Sequence, residues 1–161
     1  MRSRSQRPKP PLQLEAARLG AMTHFRSAAE FREVMDKVFT IMSTDPEMGP
    51  KLRDARIPQR FEFPDLDQVV NITYDDSGGV QNLRWKWSDD IDWEPKVEMT
   101  MDSEVANKYF QGKENVPMAL ARRRIKSSGD IKSALKLIPI TKPVFERYRA
   151  MVEREYPHLV A

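Results

Sequence analysis

Cysteine is absent from the 161 residues, and only two histidines are present. The lack of cysteine excludes disulfides, thiolate catalysis and cysteine-based metal sites. His24 and His158 both fall outside the predicted folded part, so neither is a favoured general base. The sequence therefore offers few groups for catalysis, and it predicts a protein that is not an enzyme and has no cofactor.

Long apolar runs are also missing. No stretch of about 18 apolar residues could span a bilayer, and no apolar segment resembles the core of a secretory signal. Glycine is sparse, with six residues in all, and no glycine-rich phosphate loop follows a predicted strand. We expect a soluble, cytoplasmic protein without a nucleotide phosphate site.

One acidic cluster is a candidate metal site. Asp89, Asp90, Asp92 and Glu94 lie close together in the sequence. The cluster lacks the central glycine and the final glutamate of a calcium-binding loop. We therefore predict no metal site.

The start of the chain lacks acidic residues. Arg2, Arg4, Arg7 and Lys9 account for four positive charges, so the rest of the chain carries −1 although the total is +3. Proline and arginine interrupt any apolar periodicity here. We predict that residues 1–26 form a disordered N-terminal tail.

Charge is segregated along the remaining chain. Residues 61–104 contain twelve acids and three bases, whereas residues 105–154 contain twelve bases and four acids. Such an asymmetry can orient a protein at an anionic membrane or beside an acidic partner. The alternative is a solvated surface with compensating ion pairs.

The densest basic run is Arg122 to Arg124, followed by Lys126. Clustered bases can contact the phosphates of nucleic acids. No interleaved aromatic residues or recognisable helix-turn-helix accompany this run, and the folded part is not net basic. A solvated or membrane-facing patch is therefore favoured, and nucleic acid is a disfavoured partner.

Helical periodicity begins at Ser27, which forms a capping-box spacing with Glu30. One apolar face follows at helical intervals. Its residues are Phe31, Val34, Met35, Val38, Phe39 and Met42. A last helix is predicted from Pro143, and the chain is expected to fray beyond Tyr156 and Pro157.

Between these helices the apolar period changes to two, which is typical of half-buried strands. A turn over Asp75 to Gly79 predicts an antiparallel connection. The alternating positions are Phe61 and Phe63, then Val70, Ile72 and Tyr74, then Leu83, Trp85 and Trp87, then Val97, Met99 and Met101. The pattern predicts an α+β fold of antiparallel strands with helices at both ends.

The stretch from Val105 to Leu137 is the most informative. It predicts a helix ending at Gly112, a second near Pro117, a short strand over 125–128 and a third helix opening at Asp130. In the third helix, apolar residues recur at i, i+3, i+4 and i+7, and Pro139 is expected to end it. These apolar residues are Ile131, Ala134, Leu135 and Ile138.

This stretch resembles the C-terminal half of the sterol carrier protein type two (SCP-2) family. The matching residues are Gln111, Gly112, Lys113, Ala119, Ile125, Lys126, Gly129, Asp130 and Ala134 to Leu137. With looser agreement upstream, the resemblance covers about residues 27–154. The run Arg122 to Arg124 departs from the usual mixed polar residues of the family.

The resemblance implies a single SCP-2-like domain over residues 27–156, with a five-stranded, mainly antiparallel sheet and helices that enclose an apolar tunnel. It implies a non-catalytic carrier of a sterol, fatty-acyl or isoprenoid-type ligand. The expected partner is an anionic membrane or an enzyme, which the domain contacts transiently. The alternative is an accessory scaffold that associates with a lipid-metabolising enzyme and carries no ligand.

Methionine is abundant, with nine residues, and its side chain adapts to irregular apolar shapes. We expect six methionines on inward faces: Met35, Met42, Met99, Met101, Met118 and Met151. A methionine-rich core without a cavity is the alternative. The predicted ligand-binding residues are Trp85, Trp87, Met99, Met101, Phe110, Met118, Ile131, Leu135 and Ile138.

Overall fold

The computed structural model describes residues 23–161. The prediction of a disordered tail falls mostly on residues 1–22, which lie outside the described part. The strands are β1 (Gln59–Phe63), β2 (Gln68–Tyr74), β3 (Leu83–Lys86), β4 (Val97–Met101) and β5 (Ile125–Gly129). The helices are α1 (Ala28–Thr44), α2 (Met48–Ala55), α3 (Ser103–Phe110), α4 (Val116–Ala121), α5 (Ile131–Leu135), α6 (Leu137–Thr141) and α7 (Val144–Glu155).

The five strands form one mixed sheet in the order β3-β2-β1-β4-β5. Three neighbouring pairs are antiparallel, whereas β1 and β4 are parallel. Parallel pairing needs a long crossover connection, and the chain between β1 and β4 supplies it by way of β2, β3 and the loop 87–96. The predicted α+β fold with a mainly antiparallel, five-stranded sheet is confirmed.

Helix α1 begins where the capping pattern predicts. The Oγ of Ser27 accepts a hydrogen bond from the backbone N–H of Glu30 at 3.0 Å. The Glu30 carboxylate accepts from the backbone N–H of Arg26 rather than from that of Ser27. The hydrogen bond from Glu30 N–H to Ser27 of the predicted capping box is thus formed. The reciprocal bond to the Glu30 carboxylate comes from Arg26, one residue before Ser27.

Residues just before Ser27 already belong to the packed structure. Thr23 and Phe25 are buried, and the Phe25 ring meets Phe31 edge-on at a centroid distance of 4.9 Å. The Oγ of Ser103 donates a hydrogen bond to the Oγ1 of Thr23 at 2.7 Å. The predicted boundary at residue 27 therefore cuts off residues that the core uses.

The predicted third helix is two helices. The chain turns at Lys136, so α5 ends at Leu135 and α6 runs from Leu137 to Thr141. Pro139 lies inside α6, and the prediction that it ends a helix was wrong. Proline is tolerated there because the first turn of a helix has no intrahelical acceptor for its N–H groups.

The C-terminus is ordered by buried amides of α3. The side-chain amides of Asn107 and Gln111 donate to the backbone carbonyl of Leu159 at 2.9 and 2.8 Å. Tyr148 donates its hydroxyl to the Oδ1 of Asn107 at 2.7 Å. Because Leu159 is fully buried in a 3-10 helix (Pro157–Leu159), the predicted fraying beyond Tyr156 was wrong.

Within residues 23–161, no helix is long and apolar enough to cross a lipid bilayer.

Candidate functional site: an apolar cavity between the sheet and the helices

A cavity of about 130 Å³ lies between one face of the sheet and the helices packed on it. Its wall is formed by 25 residues, and within the described chain none of these is Lys, Arg, Asp, Glu or His. Such a cavity has no charged group that could bind an ionic ligand or act as an acid or base. Its chemistry is that of an apolar binding site.

The floor of the cavity comes from the sheet. Phe61 on β1 is in register with Met99 on β4, so both side chains project from the same face of the sheet. Phe63, Ile72 and Met101 extend this apolar surface along the strands. The period-two pattern of the sequence is the cause, because alternate residues of each strand share a face.

The roof comes from short helices. Val105, Tyr109 and Phe110 of α3 line one side at helical spacing. Leu135 of α5 and Ile138 of α6 line the other side, and α6 packs against α2. The cavity is therefore closed by α5 and α6, which have only five residues each.

Five of the nine predicted ligand-binding residues line this cavity. They are Met99, Met101, Phe110, Leu135 and Ile138. The structure brings them together from β4, α3, α5 and α6. Their role in binding a ligand stays a prediction.

Trp85 and Trp87 do not line the cavity. Both indole N–H groups donate to the Oδ1 of Asp36 on α1, at 2.9 and 2.7 Å. The Trp85 ring also meets Phe39 edge-on at a centroid distance of 5.5 Å. Because β3 is the edge strand beneath α1, its aromatic face packs against that helix.

Met118 and Ile131 also lie outside the cavity. Met118 is 43% exposed on α4, so its predicted inward position was wrong. Ile131 is half-buried at the first position of α5 and does not belong to the cavity wall. Four other methionines do line the cavity: Met35, Met42, Met99 and Met101.

Among the lining residues that the sequence reasoning missed, Tyr109 and Thr141 form a polar pair. The hydroxyl of Tyr109 lies 2.6 Å from the Oγ1 of Thr141, which joins α3 to α6. Burial raises the pKa of Tyr109, and the hydrogen bond to Thr141 opposes that rise. The spacing of Val105 and Tyr109 on one helical face was a usable signal, but Thr141 lay beyond the predicted helix end at Pro139.

Asp89 of the acidic cluster forms an ion pair on the face of the sheet opposite to the cavity. The guanidinium of Arg60 donates to both oxygens of Asp89, at 2.8 and 2.9 Å. This pairing, with a further hydrogen bond from Asn71, lowers the pKa of Asp89 to about 2. Among residues 23–161, no group of three or more His, Cys, Asp or Glu side chains could hold a metal ion.

The arginine run forms the turn between α4 and β5. All three arginines are exposed, and Arg124 donates to both oxygens of Glu114, at 2.9 and 2.8 Å. Arg123 has a left-handed backbone with φ of 61°. One of the three exposed charges is therefore compensated locally by Glu114.

The sequence of residues 40–142 matches the SCP-2 sterol transfer family, and this match covers more than half of the chain. The chain belongs to the SCP-2 family. The match spans the whole sheet and the helices α2 to α6, which contribute most of the cavity wall. No curated protein sequence matches the chain.

Solved structures share the SCP-2 fold at low sequence identity. The UbiJ-SCP2 ubiquinone synthesis protein aligns with a TM-score of 0.51 and 9% identity, over 84% of this chain and 96% of that one. Apo sterol carrier protein 2 from Yarrowia lipolytica aligns with a TM-score of 0.50 and 14% identity, over 75% of this chain and 93% of that one.

A larger enzyme contains a similar domain. The inverting sec-alkylsulfatase Pisa1 from Pseudomonas sp. aligns with a TM-score of 0.51 and 16% identity, over 63% of this chain. The aligned part is only 15% of the sulfatase. At these identities the likeness shows the fold alone.

Proposed function

We propose that this SCP-2 domain is a non-catalytic lipid carrier that holds one sterol, fatty-acyl or isoprenoid-type ligand between the sheet and helices α3, α5 and α6. The observation that carries the proposal is the wall of 25 residues without a Lys, Arg, Asp, Glu or His among the described residues. Each methylene moved from water into such a site gains about 0.8 kcal/mol. A long chain can therefore bind usefully after the ordering costs are met.

The present cavity is smaller than the proposed ligand. Its volume is about 130 Å³, whereas pockets for drug-sized ligands measure roughly 300–1,000 Å³ and a cavity of about 150 Å³ holds benzene. Binding a lipid thus requires the roof to move. Helices α5 and α6 are the part suited to this movement, because isolated helices of fewer than about 12 residues are only marginally stable.

The size of the cavity also favours a second candidate function. An accessory scaffold that associates with a lipid-metabolising enzyme needs no open tunnel, and Pisa1 provides an example of an enzyme that contains this fold. Such a scaffold would be expected to present an exposed apolar patch. Among the described residues, only Val80 and Met118 are large, well-exposed apolar side chains, which favours the carrier.

The carrier proposal is tested by binding measurements on the purified protein. Native mass spectrometry is expected to show one bound lipid mass, and a fluorescent long-chain fatty acid and a fluorescent sterol are titrated to cover two ligand classes. If no apolar ligand of either class binds, the carrier function is wrong and the scaffold takes its place.

A matched pair of variants tests the site itself. Leu135→Trp adds volume without charge to the cavity wall and is expected to weaken ligand binding at least ten-fold. Ile131→Trp makes a comparable change on the same helix outside the cavity and is expected to bind as the wild type does. Equal binding by both variants, with thermal unfolding unchanged, would place the ligand elsewhere.

A further inference from the structure

The cavity contains very few polar groups, and their positions restrict the head group of a ligand. Gln59 is the first residue of β1 and Tyr74 is the last of β2, so these two lie together at one end of the sheet. Thr73, which also belongs to the wall, lies at this same end of the sheet between Ile72 and Tyr74. The remaining polar wall is the hydroxyl pair of Tyr109 and Thr141.

The protons of this pair have a preferred arrangement. The Oγ1 of Thr141 donates to the backbone carbonyl of Ile138 at 3.0 Å. A threonine hydroxyl carries one proton, so when that proton is given to Ile138, Tyr109 is the donor of the 2.6 Å bond between the two residues. The phenolic oxygen of Tyr109 then keeps its lone pairs, and it can accept one further hydrogen bond from a ligand.

An ionised head group has no counter-charge in the wall. An isolated carboxylate that is buried in an apolar site loses far more hydration free energy than a hydroxyl does. Lys108 and Lys142 neighbour the hydroxyl pair in sequence, but both are exposed, and neither belongs to the cavity wall. A carboxylate could pair with them only by remaining outside, in water.

We propose that the cavity selects a neutral long-chain or ring alcohol over a carboxylate of the same length, and that the ligand hydroxyl donates to the oxygen of Tyr109. This inference rests on the proposed carrier function and narrows its ligand class. Tyr109 is then a specificity-determining residue at the junction of α3 and α6. The ligand is thus anchored to α3, next to α6, which must move for it to enter.

The test compares three ligands of one chain length by displacement of a fluorescent lipid at pH 8. The ligands are 1-dodecanol, its methyl ether 1-methoxydodecane, and dodecanoate. The alcohol is expected to bind at least ten-fold more tightly than dodecanoate. It is expected to bind about five-fold more tightly than the ether, which accepts but cannot donate a hydrogen bond.

Two matched variants identify the acceptor. Tyr109→Phe removes one oxygen and is expected to abolish the preference for the alcohol over the ether. Tyr156→Phe makes the same chemical change outside the cavity, where the hydroxyl contacts Lys37, and is expected to keep the preference.

A third variant tests the direction of the protons. Thr141→Val removes the acceptor of the Tyr109 proton, so that proton becomes available to a ligand carbonyl. Binding of 2-dodecanone is expected to improve about five-fold over the wild type. No improvement would show that Tyr109 does not donate to Thr141 and would overturn the assigned acceptor.

Other outcomes separate the two proposals. Equal binding of dodecanol and dodecanoate, or dodecanoate binding that is lost in Lys142→Gln, overturns the alcohol preference and leaves the carrier function intact. An alcohol preference that survives Tyr109→Phe but disappears in Gln59→Leu overturns the role of Tyr109. If none of the three ligands displaces the probe, and the probe itself does not bind, the carrier function fails.

Discussion

At the scale of single residues, glycine is essential where the backbone of β5 approaches the loop before β4. Gly129 has a φ of +89°, and a Cβ at this position would lie 2.5 Å from the carbonyl oxygen of Lys96. The N–H of Asp130 donates to that same carbonyl at 2.9 Å. Both the left-handed backbone and the lack of space for a Cβ therefore require glycine at position 129, just before the roof of the cavity begins.

Gly129→Ala is expected to lower the free energy of unfolding by more than about 2 kcal/mol and Tm by about 5 °C or more, because strain and a steric clash add together. Gly78 has a similar φ of +84° with nothing within 4 Å of its added Cβ. Gly78→Ala should therefore cost only the strain, about 1 kcal/mol. Thermal unfolding of both variants gives the comparison, and equal shifts would contradict the proposed clash.

At the scale of elements, the roof of the cavity is less firmly held than its floor. Helix α5 buries only Ala134, and α6 buries only Leu137 and Thr141. Helix α1 has 17 residues and buries seven of them. Local opening requires little free energy where few apolar contacts are lost, so the roof is the natural entrance.

Amide hydrogen exchange is expected to be faster over residues 131–141 than over α1 and α7, which form the matched control within the same chain. Saturation with a lipid that binds should slow exchange in α5 and α6 and leave α1 unchanged. Exchange is read peptide by peptide by mass spectrometry. A roof that exchanges as slowly as α1 without ligand would contradict entry through α5 and α6.

At the scale of the whole molecule, the folded unit extends further toward both termini than the periodic pattern predicts. Phe25, near the start of the described chain, and Leu159, near its end, are both buried in one core.

 Phe25 contacts Phe31 of α1, and His158 pairs with Glu30 of α1 at 3.0 Å. The two ends of the described chain therefore stabilise the first turn of α1 together.

Two deletions distinguish the sequence-based tail from the packed N-terminal residues. Removing residues 1–20 is expected to leave Tm within about 2 °C, because the acid-free, proline-rich start has no apolar pattern to bury. Removing residues 1–26 also removes Phe25, and loss of a buried phenylalanine costs about 3–5 kcal/mol. A drop of ten degrees with the shorter deletion would show that the start of the chain packs on the domain.

The charge asymmetry is also a property of the whole molecule. Replacing the exposed Arg122 and Arg123 with Gln is expected to weaken binding to anionic vesicles by about 1 kcal/mol per charge, or roughly 30-fold together. The matched control replaces Lys51 and Arg154, which are exposed on α2 and α7. Sedimentation with anionic and with neutral vesicles measures the effect, and a wild type that binds neither would contradict a membrane role.

Local patterns in the sequence were sufficient for the elements that have a clear period or cap. The Oγ of Ser27 caps α1, and the alternation from Phe61 to Met101 produces four strands with one apolar face. Five of the predicted binding residues line the cavity for the same reason, since their apolar faces must be covered. These features depend on residues near one another in the chain, so the sequence alone determined them.

Tertiary structure decided the rest. The sequence contains no local signal that β4 pairs in parallel with β1, or that Asp36 accepts hydrogen bonds from both Trp85 and Trp87. The chain breaks at Lys136 into α5 and α6, and Thr141 of α6 meets Tyr109, although the helical period continues past the break. Each of these outcomes depends on contacts between residues far apart in the chain, whose free energy outweighs the weak local preference.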